Sequence, residues 1–189
     1  MGNWSNNIIV STKKEMAKFG IISDTHFMAN DKNKLYYKLL NQLKEIFKDV
    51  DEILHAGDVC ESFFLDDLKN IAPVQCVRGE SDKIPGLENF INFEVGKYTL
   101  GILHKKPENT EVFFREQNIH ILIFGHTHQP LIKGTPYNTL LINPGSPTKP
   151  IAPLPKKGFE KPIARPSVIT LKIDNDNILS TFLINLNLR

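Results

Sequence analysis

The fold class this chain of 189 residues predicts is an α/β sandwich. Three observations carry the prediction. Short apolar runs alternate with helical periodicity through the first half, whereas the second half is a series of strand-like runs, two of them joined by a two-residue turn. Hydrophobic residues make up 41% and charged residues 23% of the chain, close to the soluble globular averages of roughly 45–50% and about 25%. One domain of this size buries roughly 70% of the surface its unfolded chain exposes, enough for a core without disulfides.

Residues 1–17 are polar and aperiodic apart from Ile8, Ile9 and Val10. They are expected to be an extension, disordered or foreign to the domain, preceding a single domain over 18–189, with Met16 a candidate native start. Lys18 to Ser23 reads as a strand that ends in Asp24-Thr25-His26. Leu35, Tyr36, Leu39, Leu40, Leu43, Ile46 and Phe47 then recur at helical spacing. Glu52 to Ala56 is a second strand, ending in Gly57-Asp58, and Phe64, Leu65 and Leu68 mark the next helix. Val74 to Val77 is a third, ending in Arg78-Gly79. This alternation implies a parallel sheet with right-handed crossovers.

Beyond it, Phe90 to Val95 and Tyr98 to Leu103 flank Gly96-Lys97, the spacing of a hairpin. A short helix follows, with Thr110 as its expected N-cap and Val112 and Phe113 facing inward. Ile119 to Phe124 is a nearly continuous apolar strand ending in Gly125. Thr139 to Ile142, Ser167 to Ile173 and Ile178 to Ile184 supply further strands, so the second half is antiparallel or mixed. Seven of the twelve prolines fall between Pro144 and Pro166, together with Lys149, Lys156, Lys157, Lys161 and Arg165 against Glu160 alone. This is a stiff basic loop.

A net charge of +2 is too small to argue nucleic-acid binding. The basic loop offers only Phe159 as an aromatic for base stacking, so a nucleic-acid partner is not expected. No apolar run approaches the roughly 18 residues of a membrane span, and the N-terminus lacks the pattern of a secretory signal. The expected location is the cytoplasm. Cys60 and Cys76 form no CxxC pair and read as reduced core thiols.

Five strands stop at residues with ligand chemistry: Asp24 and His26, then Asp58, Glu80, His104, and finally His126 with His128. Parallel strands deliver their C-terminal ends to one edge, where loops from distant sequence converge. Asp24 and His26, like His126 and His128, are one residue apart, which lets both members of a pair face one point. His55 and His120 lie inside strands and read as core or edge residues. The candidate set contains imidazoles and carboxylates but no thiolate, which suits manganese, iron, zinc or similar divalent ions. Seven ligands exceed one tetrahedral site. A carboxylate shared by two ions roughly 3.5–4 Å apart would account for the number, and such pairs serve hydrolytic phosphoryl displacement.

Asp24-Thr25-His26, Gly57-Asp58, Gly79-Glu80-Ser81-Asp82, His104, Gly125-His126-Thr127-His128 and Asn143-Pro144-Gly145-Ser146, in this order, resemble the calcineurin-like metallophosphoesterases. In size and in the Asn143 segment the resemblance is to the small phosphodiesterase branch of bacteria and archaea. It implies two packed mixed β-sheets flanked by helices, a four-layer α/β/β/α sandwich. It also implies two divalent ions, manganese first and iron, zinc, cobalt or nickel as alternatives. One would be held by Asp24, His26, Asp58 and His128, the other by Asp58, Glu80, His104 and His126. A hydroxide bridging them would attack phosphorus, with Asp58, His104 and Asp82 as catalytic residues and a small phosphodiester or nucleotide-like compound as substrate. Lys105, Lys149 and Arg165 are substrate-binding candidates, the last two from the basic loop expected at the mouth of the site. Assembly of identical copies is left open.

Three positions differ from the family pattern. Glu80 stands where the family has Asn, Ser81 where many relatives have His, and Lys105 where Gly often follows the strand-end His. Glu80 adds a negative charge and donates no hydrogen bond when ionised. A retromer subunit of the same fold, with an altered metal motif, supplies the alternative function, a protein-interaction scaffold.

Overall fold

The computed structural model describes residues 15–188. The apolar patch at Ile8 to Val10, and with it most of the expected N-terminal extension, lies outside the described residues. Ten strands and three helices follow in order: β1 Ala17–Ile22, α1 Lys34–Ile46, β2 Glu52–His55, α2 Ser62–Lys69, β3 Val74–Cys76, β4 Phe90–Val95, β5 Tyr98–Leu103, α3 Thr110–Gln117, β6 Ile121–Ile123, β7 Pro130–Gly134, β8 Leu140–Pro144, β9 Ser167–Ile173 and β10 Leu179–Asn185. They form two five-stranded sheets, β10-β9-β1-β2-β3 and β4-β5-β6-β8-β7. Both sheets are mixed. Strands β1, β2 and β3 run parallel in the first, and β5, β6 and β8 run parallel in the second.

Period-two alternation builds the layers. Phe19 and Ile21 of β1, Leu100 and Ile102 of β5, Ile121 and Ile123 of β6, and Ile169 and Leu171 of β9 point between the sheets into one buried cluster. Ile22 and Ile53 point the other way, onto Tyr36, Leu39 and Leu43 of α1 and Phe64 and Leu68 of α2. Leu122 and Leu103 meet Phe113 and Phe114 of α3 on the far side. The result is the four-layer α/β/β/α sandwich. Strands buried on both faces explain why these runs read as continuously apolar, and each fully buried aliphatic side chain contributes roughly 1.5–3 kcal/mol.

Two expectations need correction. Asn109, not Thr110, caps α3, its side chain accepting from the Val112 amide, and Phe114 is buried with Phe113 where Val112 was expected. The amide-bearing side chain reaches the third residue of the helix better than a hydroxyl one position later. Strand β7 was not foreseen: it lies at a sheet edge, pairs with β8 alone among the described residues, and leaves Leu131 and Ile132 exposed, so no alternation marks it.

The last residue of β2, His55, is fully buried beneath the strand ends, and its Nε2 lies 3.1 Å from the Thr25 hydroxyl. Burial pushes its pKa from 6.5 to about 4. The folded protein therefore resists protonating His55 while the unfolded chain does not, so this contribution is complete above pH 6.5 and is lost as pH falls towards 4. From pH 6.5 to 5 the loss is on the order of 2 kcal/mol. Urea unfolding of the wild type and of His55→Gln at neutral pH and at pH 5 tests this. The variant is expected to lose less stability on acidification, and parallel curves would exclude His55 as a source of the slope.

Candidate metal centre

Both sets of parallel strands end at the same edge, and the loops leaving them meet there. The pairing of β1 with β2 continues past the strands, because the Asp24 amide donates to the Gly57 carbonyl and the His26 amide to the Asp58 carbonyl, each at 3.0 Å. Backbone strain concentrates in these loops. Asp24, His26, Asp58, His126 and His128 all have positive φ, between 49° and 66°, a region sparsely populated by non-glycine residues and found where surrounding structure over-determines the chain.

Two glycines permit the close approach. A Cβ on Gly79 would lie 2.2 Å from the Asp58 nitrogen, and one on Gly125 would lie 2.0 Å from the Ser23 hydroxyl oxygen and 2.6 Å from an Asp24 carboxylate oxygen. Side chains hold the rest. The Asp82 carboxylate accepts from the amides of Asp58 at 3.0 Å, Cys60 at 2.7 Å and Gly79 at 2.7 Å. The Ser81 amide donates to Asp58 Oδ1 at 2.7 Å, and its hydroxyl lies 3.2 Å from Oδ2. The His126 amide donates to both oxygens of Asp24 at 3.1 Å. Near the end of β8 the Asn143 side-chain amide donates to the Gly125 carbonyl at 2.8 Å, and after the strand the Ser146 hydroxyl donates to the Asp24 carbonyl at 2.7 Å.

The seven candidate ligands form one continuous group. Ligand atoms of Asp24, His26 and His128, of Asp24, Asp58 and His104, and of Glu80, His104 and His126 lie within 4.8 Å of one another in each set. Asp58 Oδ2 is 3.5 Å from both His26 Nε2 and His104 Nε2 and so stands between the two ends. At one end His128 Nε2 is 3.3 Å from Asp24 Oδ1 and 3.2 Å from His26 Nε2. At the other, His126 Nδ1 is 3.1 Å from Glu80 Oε2.

A carbonyl only accepts, so His104 Nδ1, 2.8 Å from the Ala56 carbonyl, and His128 Nδ1, 2.7 Å from the Lys149 carbonyl, carry protons. With Nδ1 engaged in this way each ring turns its Nε2 inward, the orientation that outer contacts impose on metal-ligating histidines. His104 Nε2 is buried and has no hydrogen-bond partner among the described residues. An orphaned inward-facing lone pair, surrounded by carboxylates, fits a divalent cation. Burial raises Asp58, but the neighbouring His104 ring at 3.5 Å and the hydrogen bond from the Ser81 amide outweigh it and hold the carboxyl well below its usual range. Burial lowers His104, and contacts with Asp58, Ala56 and Asp24 more than reverse this. Asp24, fully buried, is raised by its desolvation, and His26 is lowered by its own.

Asp82 makes these contacts with backbone amides alone, those of Asp58, Cys60 and Gly79, which makes it a positioning residue for the loops that carry Asp58 and Glu80. Lys105 lines a cavity with Glu80 and His104. Lys149 stands at the His128 end, where its carbonyl holds the ring and its charge lowers the pKa of His26. Arg165 lines a cavity with Ile163, Pro166 and residues 185–188. His55 and His120 are engaged elsewhere, by Thr25 and by the Thr99 amide. Cys60 and Cys76 are free thiols, and Cys60 Sγ lies 3.8 Å from His26 Nδ1, a proximity its apolar sequence neighbourhood did not signal. Ser81 and Thr148 were also missed as supports, since a hydroxyl alone in a loop carries no pattern.

The sequence pattern of the calcineurin-like phosphoesterase superfamily domain matches residues 17–176. A probable metallophosphoesterase of Methanothermobacter thermautotrophicus is 34% identical over 167 residues, which cover 84% of this chain and 87% of that protein. Among solved structures, wild-type Vps29 of Entamoeba histolytica complexed with zinc superposes with a TM-score of 0.66 at 23% identity, over 90% of this chain and 99% of that one. An archaeal phosphodiesterase superposes with a TM-score of 0.61 at 20% identity, over 88% and 99%. These structural likenesses bear on the fold. The family match and the sequence relative bear on descent, and by them the chain belongs to the calcineurin-like phosphoesterase superfamily.

Proposed function

We infer that the chain is a metal-dependent phosphodiesterase acting on a small phosphodiester. The observation that carries this reading is the continuous ligand group with Asp58 at its centre, 3.5 Å from a histidine of each end. Asp24, His26, Asp58 and His128 would hold one ion and Asp58, Glu80, His104 and His126 the other. Manganese is the first candidate for this nitrogen and oxygen donor set, and iron, zinc, cobalt and nickel are the alternatives. Bound divalent ions lower the pKa of water and neutralise charge on phosphoryl oxygens.

The chain's own residues supply the pre-organisation. Ser81 fixes both oxygens of Asp58, and Asp82 fixes the amides around them, so the central carboxylate is already ionised and aimed. The protons on His104 and His128 are parked on carbonyls, away from the reacting centre. His126 and Glu80 form the accessible end: their side chains are 36% and 61% exposed, against 12% and 15% for His26 and His128, so a substrate is expected to approach there. A cytoplasmic location accords with the free thiols Cys60 and Cys76.

Metal analysis after manganese loading, with hydrolysis of bis(p-nitrophenyl) phosphate, tests the reading. Two ions per chain and metal-dependent turnover are expected. Asp58→Asn should lose at least one ion and about a hundredfold or more in rate, since even groups that merely orient ligands are worth about 10–100-fold. Turnover that survives this change at full strength would refute the assignment.

A second reading, a weakly active or inactive scaffold, is favoured by Glu80, whose carboxylate adds a charge that repels a phosphate anion and offers it no donor. Glu80→Asn separates the two. A restored donor to the phosphoryl oxygen contributes about 1.5–3 kcal/mol if it strengthens in the transition state, roughly tenfold or more in rate. Metal content must be read alongside. A variant with both ions that is slower than wild type would show that Glu80 aids turnover, and two inert, fully loaded proteins would favour the scaffold.

A further inference from the structure

We propose that the cavity beside Glu80 and His104 is a subsite for a second anionic group on one ester arm, so that the preferred substrates are phosphodiesters carrying an additional phosphate, held by Arg78 and Lys105. The proposal rests on the phosphodiesterase reading above. The cavity has a volume of about 450 Å³ and is lined in part by Arg78, Glu80, Asp82, Asn89, His104 and Lys105. That volume falls in the range of small-molecule sites, about 300–1,000 Å³. It opens beside the accessible end of the candidate ligand group, whereas the His128 end is covered by the backbone of the loop after β8, through the Lys149 carbonyl and the hydrogen bond from the Ile151 amide to the His128 carbonyl.

The charges on the cavity wall decide what it would hold. Asp82 is engaged by three backbone amides. Glu80 turns to His126 at 3.1 Å rather than to Arg78. Among the described residues neither Arg78 nor Lys105 is ion-paired with a carboxylate. Arg78 is nonetheless anchored: its amide donates to the Glu88 carbonyl at 2.7 Å and its Nε to the Leu87 carbonyl at 3.2 Å, which fixes the side chain and leaves its terminal nitrogens to donate. A guanidinium held in this way matches phosphate with paired hydrogen bonds, and Lys105 adds a second cation across the same space. The reacting phosphoryl group is already neutralised by divalent ions when these are bound, so the two further cations are free to meet a second anion. Asn89 supplies a neutral amide on the same wall for a sugar or base.

Two probes that differ only in this anion test the idea: thymidine 5′-(p-nitrophenyl phosphate) and the same compound bearing a 3′-phosphate, each read by p-nitrophenolate release with the manganese-loaded protein. The ratio of their kcat/KM values is the readout, which makes each variant its own control for folding and metal content. In low salt the wild type should favour the 3′-phosphorylated probe by about tenfold or more, chiefly through KM, and the preference should shrink as salt screens the contact. Arg78→Met and Lys105→Met should each bring the ratio most of the way to one. Lys172→Met, which removes an exposed cation from β9 opposite Lys18 at the far end of β1, should leave it unchanged. A wild-type ratio of one or less, a ratio kept by Arg78→Met, or one lost equally in Lys172→Met would overturn the subsite while the phosphodiesterase reading stands. Failure to hydrolyse either probe with two ions bound would remove that reading, and the subsite with it.

Discussion

The site depends on one buried carboxylate. Asp58 is 5% exposed and ionised, a state that costs several kcal/mol in a protein interior unless hydrogen bonds replace the lost water. The Ser81 amide and hydroxyl provide them, and the histidines at 3.5 Å on either side complete the compensation. The geometry of the neighbouring loop follows. For the Ser81 amide to reach Asp58, the chain after β3 must pass so close that residue 79 has no room for a Cβ. Glu80, which lies between that glycine and Ser81, is thereby held at the rim and turned towards His126.

The same demand explains Asp82. Its carboxylate gathers three amides from two separate segments, those of Asp58 and Cys60 from one and that of Gly79 from the other, and locks the loop after β2 to the loop after β3. Removing its charge would leave three donors in a partly buried place, so its contribution lies in keeping Asp58 aimed. The positive φ angles of five candidate ligands belong to this picture: each is a conformation costing of order 1–3 kcal/mol that the locked loops sustain.

The alternation of strands and helices from Lys18 to Val77 and the Gly96-Lys97 hairpin were legible because their side chains are sorted by burial on both faces of each element. So were the strand ends, since a ligand-type residue immediately after an apolar run is visible in one dimension. The stacking of the second sheet on the first was legible only through family resemblance: β5 and β6 carry aliphatic residues on both faces, Leu103 and Leu122 on the outer as well as Leu100, Ile102, Ile121 and Ile123 on the inner, and nothing in the pattern says which partner they meet. Edge strand β7 had too little burial to leave a signal. The supports were the least legible part. Ser81 acts through hydrogen bonds to the Asp58 carboxylate, and Asn143, Ser146 and Thr148 through hydrogen bonds to carbonyls brought close by the fold, and such contacts have no sequence period.

The contacts that close the site span most of the chain: the His126 amide reaches Asp24 across 102 residues, and the Ser146 hydroxyl reaches its carbonyl across 122. Contacts of such separation form late, after the loop-closure entropy of both sheets has been met. No segment shorter than the stretch from Asp24 to His128 contains the complete set of candidate ligands. An incompletely folded chain would therefore have little to offer a metal ion, and the cell's supply of ions would act on the finished fold alone, drawing the last docking step forward by mass action.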